Sequence, residues 1–101
     1  MEIAMDREVR GRALEVQDNI RGVLFDEWDP IGVNDYAPRD EYDAYIGGIY
    51  RLLGDGTDAE ALVRHLRSLE IEQMGCPTSQ EHRTKIAERL LQLDIESVLK
   101  L

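Results

Sequence analysis

The chain has 101 residues, 43% hydrophobic and 33% charged, with a formal net charge of −9. That length makes one domain with one core, and the apolar content excludes a disordered chain. The excess of acid argues against duplex DNA or anionic membrane as partners, because both require positive charge on the protein.

Residues 1–12 alternate charge with small apolar side chains and lack the apolar core of a secretory leader. No apolar run reaches the roughly 18 residues that a membrane span needs. The single Cys76 excludes an intrachain disulfide and fits a reducing compartment. The expectation is a cytoplasmic protein with no membrane and no nucleic-acid partner.

Over residues 5–28, Val9, Ala13, Val16, Ile20, Val23 and Leu24 recur every three or four positions, the stripe of an amphipathic helix. Glu27 projects onto the same stripe, while Leu14 and Phe25 fall off it and form a minor second apolar face. Pro30 forces the residue before it out of the right-handed helical region, so this helix should stop near Trp28. Asp29 and Gly32 then supply turn chemistry. Trp28, Pro30, Gly32, Tyr42, Ile46 and Ile49 are the expected structural residues, with Trp28 at the centre of the core.

Asp40 is a candidate N-cap for a second helix running to about residue 53, with Tyr42, Tyr45, Ile46, Ile49, Tyr50 and Leu53 as its stripe. Its back carries only Ala44, Gly47 and Gly48, a bare strip that fits either a helix packed on both sides or a partner site. Gly54-Asp55-Gly56 ends it. Thr57 with Glu60, and later Thr78 with Glu81, read as capping boxes opening the third and fourth helices. The third carries Ala59, Leu62, Val63, Leu66 and Leu69 and closes at Met74-Gly75. The fourth turns Ile86, Leu90 and Leu93 inward, and Ala87, Leu91, Ile95 and Val98 lie on a second side. That arc is too wide for one neighbour and suggests a homodimer through Leu91, Ile95 and Val98. The expected fold is an all-α, four-helix bundle-like single domain over residues 1–101.

Charge is unevenly placed. Residues 26–43 hold Asp26, Glu27, Asp29, Asp35, Asp40, Glu41 and Asp43 against the single base Arg39. A solvated acidic face accounts for these seven, and so does a recognition surface for a basic protein partner. An EF-hand counted from Asp29 meets Ile31 and Val33 where oxygen ligands belong, so that motif is absent. His65, His82 and Cys76 are too few and too scattered for structural zinc. Cys76 before Pro77 reads as a linker thiol, and His82 as a half-buried, hydrogen-bonded ring. No metal and no cofactor are expected.

Glu27 beside an indole is the best candidate for a perturbed carboxylate, with capping or pairing to an arginine such as Arg21 or Arg51 as the plainer reading. Helices three and four invite a helix-turn-helix reading with residues 80–85 entering a groove, which the net charge opposes. Two functions of different class follow. One is a non-enzymatic interaction domain whose acidic face engages a basic protein, as an immunity or anti-toxin inhibitor would. The other is a small hydrolase using Glu27, Asp29 and Asp43.

Leu24-Phe25-Asp26-Glu27-Trp28-Asp29-Pro30, then Tyr42-Asp43, Ile49-Tyr50-Arg51-Leu52-Leu53 and Ala87-Glu88-Arg89-Leu90-Leu91 resemble the YugE-like family of small helical bacterial proteins of unknown function. The resemblance spans about residues 16–93 and leaves 94–101 as an apolar helical extension. It implies a compact helical domain and carries over no catalytic residue.

Overall fold

The computed structural model describes residues 14–93, and among these there are four helices and no strand. α1 is α-helical over residues 14–22 and continues as a π turn, Val23–Trp28. α2, Ile46–Gly54, is entered through a short 3₁₀ turn at Asp43–Tyr45. α3, Ala59–Ser68, also runs on into a π turn, Leu69–Met74. α4 is Gln80–Leu91. The domain is all-α and bundle-like. The expected helical residues before 14, with Val9 and Ala13, and the extension 94–101 lie outside the described residues.

Val16, Ile20, Val23 and Leu24 are buried, as their helical spacing dictates. Phe25 departs from the sequence reading: a uniform helical period puts it off the stripe, yet it is 5% exposed. The cause is the π turn, in which backbone bonds link residues five apart instead of four. Here the Asp29 N–H reaches the Leu24 carbonyl at 2.9 Å. One extra residue in the turn brings Phe25 inward with Val23, Leu24 and Trp28. Leu14, its supposed companion, stays exposed.

Trp28 is 1% exposed and sits in an aromatic cluster. Its ring lies 5.6 Å from Tyr42 and 6.3 Å, edge-on, from Tyr45. Phe25 lies 6.5 Å from Tyr42. Tilted and edge-to-face rings at these separations add about 0.5–1.5 kcal/mol per pair beyond the area they bury.

The helix starts differ from the sequence reading by one to several residues, each for a local reason. Asp40 caps nothing: its carbonyl accepts the Asp43 N–H at 3.0 Å in a turn, and α2 begins only at Ile46. Asp58, not Thr57, caps α3 by accepting the Ala61 N–H at 2.9 Å. The Thr57 N–H is spent on the Leu52 carbonyl, closing α2. Ser79, not Thr78, caps α4 by accepting the His82 N–H at 3.0 Å. The Thr78 hydroxyl points to Glu70 instead.

α2 is not packed on both sides. Ala44 and Gly47 are exposed, and a Cβ built on Gly47 meets nothing within 4 Å. Gly48 alone is covered, and a Cβ there would sit 3.4 Å from His65 Nε2 of α3. Burial holds the His65 imidazole below its ordinary pKa. On α4, Ile86, Ala87 and Leu90 are all buried, so the core takes Ala87 from the side assigned to a second neighbour.

Candidate functional site

The π turn of α1 delivers Asp29 at φ 33°, a left-handed conformation that a short polar side chain tolerates better than most. From there its carboxylate organises the next thirteen residues. Oδ1 accepts the Val33 N–H at 2.9 Å and the Tyr42 hydroxyl at 2.6 Å, and Oδ2 accepts the Asn34 N–H at 3.2 Å. Asn34 Nδ2 in turn donates to the Phe25 carbonyl at 3.2 Å. Gly32 turns the chain at φ 72°, and Val33 tucks into the core. Burial pushes the Asp29 carboxyl up, but the Tyr42 hydroxyl and the amides of Val33, Asn34 and Gly32 outweigh it and hold it below the usual carboxylate range. Burial, then the Asp29 carboxylate, pushes the Tyr42 phenol well up.

Three more of the seven acids hold arginines. Asp43 takes Arg21 in a two-pronged pair at 2.8 and 2.9 Å, and Arg21 also contacts Asp18. These acceptors, Asp43 first, hold the Arg21 guanidinium above its ordinary pKa. Glu27 pairs with Arg89 of α4 at 2.9 and 3.2 Å, not with Arg21 or Arg51, and raises the pKa of that guanidinium. Asp26 pairs with Arg39 at 3.2 Å, and Arg39 lies over the Phe25 ring at 5.5 Å. Asp35, Asp40 and Glu41 remain exposed on the loop. With them stand Tyr36, 78% exposed, and Ile31, 42% exposed. The acids proposed as one surface therefore divide into three that hold the scaffold (Glu27, Asp29 and Asp43), one, Asp26, in an exposed pair with Arg39, and three that stand exposed on the loop. Glu27, Asp29 and Asp43, the carboxylates of the hydrolase reading, each serve a different partner.

Sequence reasoning missed the most buried charge. Glu70, in the π turn of α3, is 0% exposed and Arg83 of α4 is 6% exposed. Glu70 Oε2 accepts Trp28 Nε1–H at 2.8 Å, and Oε1 accepts the Thr78 N–H at 2.7 Å and Arg83 Nε–H at 3.0 Å. The Thr78 hydroxyl lies within 3.0 Å of both oxygens. Arg83 also donates to the Thr78 carbonyl at 2.6 Å and to Gln80 Oε1 at 3.1 Å. His82 Nε2 donates to the Trp28 carbonyl at 2.9 Å. Among the described residues no buried side-chain nitrogen or oxygen lacks a partner. A buried ion pair is tolerable only when its remaining lone pairs and protons are satisfied in this way. The cluster ties the end of α1 to α3 and α4, and so fixes where the acidic loop departs. The signal was present: Glu70 falls four residues after Leu66 and seven after Val63, on the apolar stripe.

Open clefts lie elsewhere. One of about 380 Å³ is lined by Ala59, Val63, Arg64, Arg67, Gln80 and Thr84 among others, and one of about 410 Å³ by Arg64, Arg67, Ser68, Ile71 and Glu72. A third, about 340 Å³, follows Gly47, Tyr50, Arg51, Gly54 and Asp55 of α2. Among the described residues no three His, Cys, Asp or Glu side chains are grouped as metal ligands. No described helix is long and apolar enough to cross a membrane. Leu91 is 40% exposed, while Ile95 and Val98 lie outside the described residues. No family model, curated protein or solved structure matches the chain.

Proposed function

We propose that the chain is a non-enzymatic cytoplasmic interaction domain whose loop, residues 29–42, engages a basic protein partner. The observation that carries this is the division of labour within the loop. Asp29 pins it from inside, while Asp35, Tyr36, Asp40, Glu41 and Ile31 stand exposed. A loop held in place before binding loses less conformational freedom when a partner docks. Tyrosine is enriched at the anchoring positions of interfaces, and carboxylates around it attract and orient a cationic surface. An inhibitor of a basic toxin is one protein of this kind. Asp26, Glu27 and Asp43 contribute to the field while offset by their arginines. No observation favours the hydrolase reading over this one. We propose likewise that the chain belongs to the YugE-like family and self-associates through Leu91, Ile95 and Val98.

The test begins with capture from native lysate at low and high salt, followed by stopped-flow association with the protein that elutes. Replacing Asp35 and Asp40 by Asn and Glu41 by Gln together should slow association by about tenfold at low salt and flatten its salt dependence, leaving dissociation nearly unchanged. At 0.15 M ionic strength the screening length is about 8 Å, so added salt should imitate the variant. An unchanged rate and salt slope would reduce the loop to solvated surface.

A further inference from the structure

We draw no further inference here: the strongest candidate, the pair of open clefts that share Arg64 and Arg67 on the outer face of α3 beside the start of α4, sets those two arginines against Glu60 and Glu72 on the same face, and nothing in the structure shows what covers it.

Discussion

The π turns that end α1 and α3 share a geometry and differ in what they bury. Each finishes on a left-handed residue, Asp29 at φ 33° and Gly75 at φ 65°, whose N–H returns to the carbonyl five residues back. The turn of α1 buries hydrocarbon, namely Val23, Leu24, Phe25 and the body of Trp28. The turn of α3 buries one residue, the carboxylate-bearing Glu70. An extra residue in a helical turn widens the face it presents, and the two turns use that width differently. One packs an additional ring. The other aims a charge at donors gathered from α1, from α4 and from the linker that joins α3 to α4. The polar tip of the first turn, Trp28 Nε1, is also one of the donors that make the second one possible.

Glu70→Ala should open the widest gap between them. It leaves the Arg83 Nε–H, the indole N–H and the Thr78 amide without an acceptor and the guanidinium without its counter-charge, and removing one partner of a buried pair costs about 3–5 kcal/mol. Urea unfolding reads the loss. Adding Arg83→Met should recover part of it by removing the stranded guanidinium, whereas a further loss would mean that the pair is not the reason Glu70 is tolerated.

In the hydrocarbon turn the matching change is Phe25→Ala. Its expected cost is about 3 kcal/mol, the low end for truncating a buried phenylalanine, because the ring lies near the edge of the core beneath Arg39. In a continuous α-helix Phe25 would face solvent, and the loss would be within about 0.5 kcal/mol. The same denaturation experiment separates the two.

A smaller and pH-dependent effect belongs to Asp29, which the first turn places at the root of the loop. Its folded pKa is lower than its unfolded one. The stabilisation is therefore complete above the unfolded value of about 3.9 and disappears as pH falls through the folded value. Wild type should lose stability more steeply than Asp29→Asn as pH falls below about 4, the unfolded value. Parallel curves would show that the loop does not depend on the charge.

The two turns were unequally legible in the sequence. Val16, Ile20, Val23, Leu24 and Trp28 follow from helical periodicity and from the stop at Pro30, because burial of apolar side chains is set locally by spacing. Phe25 was not legible, since any fixed period assumes that the backbone never inserts a residue. Glu70 and Arg83 lay in view on apolar stripes, Arg83 three residues before Ile86 and seven before Leu90. A charge there is interpretable only when its partners are known, and Trp28 and Glu70 are 42 residues apart. The same distance effect hid the partners of the acidic stretch. Arg21 lies 22 residues before Asp43, and Arg89 lies 62 residues after Glu27. Counting charge along the chain therefore overstated how much of the stretch is free to meet another protein. The caps failed for a related reason: Thr78 has the cap signature, but its hydroxyl is drawn away by Glu70, which no local pattern records.

The Trp28 indole and the Glu70 carboxylate act as one unit, fixing where α1 ends and the acidic loop begins. A double-mutant cycle in urea unfolding, with Trp28→Phe and Glu70→Ala made singly and together, measures it. Trp28→Phe keeps most of the ring and removes the donor, so it should cost about 1–2 kcal/mol in wild type and far less once Glu70 is gone. A coupling of about 1 kcal/mol or more is the predicted result. Two changes that add to within about 0.5 kcal/mol would contradict it, because the indole and the carboxylate would then stabilise the domain independently.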